Sequence, residues 1–344
     1  MIVGGIPLLY GGLSATANLA IAHSTSPFIT AYSWSSAGFG TKFADPATLP
    51  AGVGNAVAFS PAKTQVAVAH ATTPFITAYS WSSAGFGSKF SDPATLPPNQ
   101  AFGVAFSPAG TQLAVAHDNS PYITAYPWSG SGFGTKFSNP ATLPTEQALS
   151  VAFSPAGTQI VVTNIATPFV TAYPWSSSGF GTKFSNPATL PAGAGRSAAF
   201  SPAGTELIIG HDTSPFVTAY PWSSSGFGTK FSNPATLFAG SGRGIDFSLT
   251  GTQVAIAHGG EIYVSAYSWS SSGFGSKFSD PATLPTGVGQ AIAFSPTGTE
   301  LVVAHSTSPF VTAYPWSNAG FGSKFADPTT LPTGIGRGAK FVGL

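Results

Sequence analysis

TPFVTAYPWSSSGFGTKFSNPATLP, residues 167–191, returns 47 residues later almost unchanged as SPFVTAYPWSSSGFGTKFSNPATLF, residues 214–238. Within it FVTAYPW is a β-branched and aromatic run, SSSG a turn, and FGTKF a second short run. Such runs, bounded by Gly, Ser, Pro and Asn, read as strands and turns. Moving outward, tryptophan falls at 34, 81, 128, 175, 222, 269 and 316. Lysine keeps the same period from Lys42 to Lys324, and tyrosine from Tyr32 to Tyr314. A strict period between about 20 and 50 residues marks a solenoid, an array or a propeller.

The unit decides among these. In the third copy GVAFS (103–107) is a strand, SPAG a turn and TQLAVAH (111–117) a second strand. DNSP turns again, YITAYPW (122–128) is a third strand, SGSG a turn and FGTKF (133–137) a fourth. No stretch sustains a 3.6-residue period, which excludes helical repeats. Four short strands in a meander of this length form a propeller blade. The alanine-rich first two strands suit the crowded axis, and the phenylalanine-rich fourth fills the wider rim.

The ends predict how the ring closes. Phenylalanine recurs in the first strand at 59, 106, 153, 200, 247 and 294, and the next position in register is Phe341. At the N-terminus the matching position is Gly12, and the first recognisable strand begins near Asn18. The expected fold is all-β, a seven-bladed β-propeller of four-stranded antiparallel blades. Blade 1 is expected to combine residues 18–50 with 337–343, after an N-terminal segment 1–17. Blades 2–7 are expected at 55–97, 102–144, 149–191, 196–238, 243–285 and 290–332, all in one domain. The C-terminal strand then leaves no open edge.

Composition limits function. Charged residues are 7% of the 344 and the net charge is +1, against a usual charged share of about 25%. A nucleic-acid partner is not expected, because Lys and Arg do not cluster. There is no cysteine, hence no disulfide or thiolate-bound metal. No apolar run approaches the roughly 18 residues of a membrane helix. The first basic residue is Lys42, so no ordinary signal peptide is visible.

AFSPAGTQLAVAH (105–117), followed by an aromatic strand ending in Trp128, resembles the WD-repeat propellers. VVTNIATPFVTAY (161–173) is similar to the YVTN repeats of surface proteins. Trp is followed by Ser rather than Asp, and no Gly-His pair precedes the first strand. The hydrogen-bond network of true WD repeats is therefore not carried over. The resemblance implies a propeller scaffold used for binding. The near-identical Gly/Ser/Pro-rich blades are also similar to repeats in bacteriophage-encoded proteins.

Within the repeat, one ring is His23, His70, His117, Asn164, His211, His258 and His305. It reads either as a ring of ligands or pH-sensitive groups, or as structural caps of the turn that follows. The second reading is favoured: packed sheets lie about 10 Å apart, while metal–imidazole bonds are about 2.1 Å. The tryptophans read as packing between blades rather than as sugar platforms. Lysines on the outer strand read as a solvated face, and the Asp/Asn-Pro pairs as turns. Differences between copies are more informative. The first strand is entered by Asn55, Phe102, Leu149, Arg196, Arg243, Gln290 and Arg337, and the turn after the histidine carries Asp118, Asp212 and Glu261. These residues are expected on one variable face, with the SPAG and SSSG turns on a uniform face. Arg196, Arg243, Arg337, Asp118, Asp212, Asp246 and Glu261 are the candidate binding residues. No nucleophile–base pair, carboxylate dyad or metal cluster is visible. The expectation is a non-enzymatic structural or interaction propeller without cofactor or metal. It would be a virion or surface-assembly component, at the virion or outside the cell, with protein partners. The alternative is a lectin-like adhesion module with glycan sites between blades.

Overall fold

The computed structural model describes residues 17–343. Every copy forms a four-stranded antiparallel sheet, and seven sheets make the ring. In the third copy the strands are Ala101–Phe106, Gln112–His117, Ile123–Ser129 and Gly132–Phe133, from axis to rim. The second strands are apolar on both faces because each sheet is covered on both sides; all six residues of Gln159–Asn164 are buried. No helix occurs among the described residues.

The ring closes as the repeat register requires. Gly336–Gly343 pairs antiparallel with Ala17–His23, setting Phe341 opposite Leu19 and Ala339 opposite Ile21. Phe341 packs edge-on against Trp34 at 5.0 Å. The Gly12 register position and residues 1–16 of the N-terminal segment lie outside the described residues.

Tryptophan is the bolt between blades. Trp175 meets Phe153 at 5.3 Å and Phe180 at 4.8 Å in its own blade, and Phe137 of the preceding blade at 5.4 Å. All three contacts are edge-to-face, a geometry worth about 0.5–1.5 kcal/mol per pair beyond burial. With 4% of Trp175 exposed, its faces are covered and no sugar can stack there. Tyrosine adds a latch: the Tyr173 hydroxyl donates to the Thr142 carbonyl at 2.7 Å, on the connection leaving the preceding blade. All seven blades repeat this bond, and Tyr32 to Thr330, also 2.7 Å, fastens blade 1 to blade 7. The lysines are more than a solvated face. Each donates Nζ to the Asp or Asn three residues on, as Lys42 does to Asp45 and Lys230 to Asn233. An acceptor oxygen, which both side chains supply, is what that place needs.

One strand prediction fails in four blades. The fourth strand has five residues at Gly38–Lys42, Gly85–Lys89 and Gly273–Lys277 but two in the others. The long ones face Ser33, Ser80 and Ser268; the short ones face Pro127, Pro174, Pro221 and Pro315. Proline has no N–H to give the ladder, so pairing stops beside it. The turn before this strand needs glycine. Gly179 has φ +94, and a side chain there would press within 3.2 Å of the Phe137 ring.

Candidate functional site: the mouth of the central channel

The first strand of each blade pairs regularly with the second except at one place near its start. In the sixth blade Gly242 faces His258 and Gly244 faces Ala257, so Arg243 is bulged out of the ladder. The same shift occurs in all seven blades. A bulge frees a side chain from pairing and re-aims it. Here it aims Asn55, Phe102, Leu149, Arg196, Arg243, Gln290 and Arg337 around a single opening of about 280 Å³. The sequence marked these positions as variable but not as bulged. The signal was that strand alternation breaks there.

Three guanidinium groups therefore meet at the mouth. Arg196 is held by Asp212, with Nε to Oδ1 at 2.8 Å and Nη2 to Oδ2 at 2.6 Å. This two-point bond joins the first strand to the turn after His211. Burial raises the Asp212 pKa, but hydrogen bonds and charge from Arg196 outweigh it and leave the carboxyl below its ordinary value. Arg243 donates Nη1 to the Gln290 side-chain oxygen at 3.0 Å, while its Nε is buried without a partner. Among the described residues, neither Arg243 nor Arg337 has a carboxylate partner. Burial lowers both pKa values, helped at Arg243 by repulsion from Arg196; both groups remain cations at any ordinary pH. Three cations against one carboxylate leave a surplus of two positive charges at a partly desolvated opening.

The other candidate residues lie elsewhere. Asp118 is on the same face but accepts a 2.7 Å bond from Gln147 in a groove between the third and fourth blades. Glu261 is exposed on its turn. Asp246 does not belong to the variable face. It lies three residues further along the strand than Arg243, inside the channel toward the opposite end, and its Oδ2 accepts from the Phe294 N–H at 2.8 Å.

The histidine rings engage the third strand as well as the turn that follows them, where the Gly260 N–H donates to His258 Nδ1 at 3.2 Å. His117 Nε2 bonds Thr124 Oγ1 on the third strand at 2.9 Å, and His23, His70, His211 and His305 do the same with their own threonines. His258 uses Ser265 at 3.1 Å, and Asn164 reaches Thr171 at 3.3 Å. Burial lowers each histidine pKa to about 4, leaving neutral imidazoles. No group of His, Cys, Asp or Glu suited to a metal occurs among the described residues.

No family model matches the chain. No curated protein matches it either. Solved structures do. A Bacteroides uniformis protein assigned as a 6-phosphogluconolactonase matches 96% of this chain and 100% of its own, with TM-score 0.75 and 15% identity. The periplasmic gluconolactonase of Pseudomonas aeruginosa matches 95% of this chain and 99% of its own, with TM-score 0.74 and 16% identity. A Bacteroides fragilis protein with the same assignment as the first matches 96% and 98%, with TM-score 0.73 and 14% identity. The chain is similar to all three in fold. This overturns the expectation of a non-enzymatic protein. That reading ran from propeller and repetition to scaffold, yet the same architecture, end to end, carries proteins named as lactonases. The fold gives no support to the virion, assembly and adhesion readings, and the covered tryptophans cannot serve as sugar platforms.

Proposed function

We propose that the channel mouth binds a small anionic lactone and opens it by hydrolysis, the substrate class being lactones of sugar acids. The observation that carries this is the surplus of guanidinium charge at one opening: Arg243 and Arg337 face it with no carboxylate of their own. Planar guanidinium groups suit carboxylate and phosphate oxygens, which they bind in pairs. The names of the proteins sharing the fold supply the reaction type.

In the reaction, water adds to the lactone carbonyl carbon and negative charge develops on the carbonyl oxygen. A guanidinium already in place stabilises that oxyanion without reorganising. The ring C–O bond then breaks, and the proton lost by water ends on the departing alkoxide, giving an open hydroxy acid. Asp212 serves by fixing Arg196: its carboxylate, acidified by that pairing, is a weak proton acceptor. Strained cyclic esters open with less help from a base than amides need, so a site built mainly of cations is adequate.

The test is hydrolysis of the anionic 6-phosphate of glucono-δ-lactone, with the neutral parent lactone as a weaker comparison substrate, followed by pH-stat against the spontaneous rate. Acceleration in the native protein, reduced at least tenfold by Arg243→Gln with unchanged folding, is the expected result. A rate no higher than spontaneous with the 6-phosphate overturns the proposal.

A further inference from the structure

Below the arginine mouth, Val57, Val104, Val151 and Ile245 line both the mouth and a second space of about 400 Å³ beneath it. This volume is within the range of small-molecule sites. Its wall is mostly Ala, Val, Pro and Phe, with Phe59, Phe106 and Phe153 among them. Only two lining residues carry charge, Asp246 and Lys340.

Both occupy the same place in the repeat. In the other five blades that place holds Ala58, Ala105, Ala152, Ala199 and Ala293. The scaffold therefore needs no charge there. A carboxylate in an apolar wall costs stability unless something compensates it. Within the chain Asp246 has the Phe294 N–H at 2.8 Å and the field of Lys340, but the two charges form no ion pair. They stand on blades 6 and 1, with blade 7 between them. Opposite charges on one apolar wall, too far apart to touch, fit a molecule that carries both charges itself.

We infer that this lower chamber binds a small zwitterion with an apolar body, of the α-amino acid class. Its ammonium meets Asp246, its carboxylate meets Lys340, and its side chain lies against the phenylalanines. The site goes beyond the lactone reading and does not depend on it: it opens among the turn residues Pro108, Pro155 and Pro202, on the face opposite the arginines.

The experiment is calorimetric titration of the full chain with L-phenylalanine and L-leucine. Two analogues with one charge each, 3-phenylpropionate and phenethylamine, complete the panel. Asp246→Ala and Lys340→Ala restore the residue found in the other blades, so folding is expected to hold. Saturable binding of phenylalanine is expected, at least tenfold weaker for either analogue and at least tenfold weaker in either variant. The inference is overturned if neither amino acid binds saturably, if the analogues bind as well, or if the variants bind unchanged. The two analogues on native protein keep the test decisive should a variant misfold. Lactone hydrolysis is read separately and is expected to survive both substitutions.

Discussion

The outer half of each blade and the mouth of the channel obey opposite rules. Tyr173, Trp175 and Lys183 have counterparts of the same type in every copy. The bulged position holds Asn55, Phe102, Leu149, Gln290 and three arginines. The contrast follows from what each side chain touches. A tryptophan between two sheets has neighbours on both sides that are themselves repeated, so any change in one blade must be matched in the next. A bulged side chain points away from the ladder into open channel and is free to differ. The repeated half builds the ring, and the unrepeated positions are where a ligand can tell one blade from another.

The strongest way to break this comparison is to remove the last strand, residues 336–344. Its loss strips the inner edge from blade 1 and takes away buried Phe341 and Val342. Truncating a buried phenylalanine alone costs about 3–5 kcal/mol. The truncated chain is expected to be aggregated or largely unfolded in size-exclusion chromatography and circular dichroism. A folded, monomeric product with native melting contradicts the closure.

The next effect is a pH dependence shared around the ring. The buried histidines titrate at about 4 when folded and near 6.5 when unfolded. Between those values the unfolded chain binds more protons than the folded one, so stability is full above about 6.5 and falls as pH drops toward 4. Each pH unit within that window is worth up to about 1.4 kcal/mol per histidine. Melting temperature is expected to fall over the window, and less steeply in His117→Asn, which copies Asn164. An identical slope in that variant removes the ring as the cause.

Smaller effects sharpen the picture of the rim. Tyr173→Phe deletes the latch to Thr142 and leaves its carbonyl without that donor, at a cost of about 1 kcal/mol by chemical denaturation. Pro127→Ser should extend the fourth strand of its blade to the length seen beside Ser33, with new amide protection near residues 134–136 and little change in stability. Protection unchanged by the substitution refutes proline as the reason for the short strands.

The period made the ring, its blade number and its closure readable, because one register runs from Phe59 to Phe341. Residue depth was harder to read. Arg243 and Asp246 are three apart, but the bulge turns the first toward the mouth while the second lies inside the channel. Lys340 escaped notice because its strand stands apart from the copy it completes. The channel mouth was hidden for a related reason: it is assembled from one residue of each blade, so no single repeat displays it.

That assembly is open to direct measurement. The central claim is that Arg196, Arg243 and Arg337 together form an anion site at the mouth. Calorimetric titration with 6-phosphogluconate compares the native chain with the triple variant Arg196→Gln, Arg243→Gln, Arg337→Gln. Hydrogen bonds to charged groups contribute about 1.5–3 kcal/mol each, so losing two predicts a drop of about a hundredfold or more in affinity. The account predicts that loss with the melting temperature nearly unchanged. Equal affinity in the two proteins, or no binding by the native chain, contradicts it.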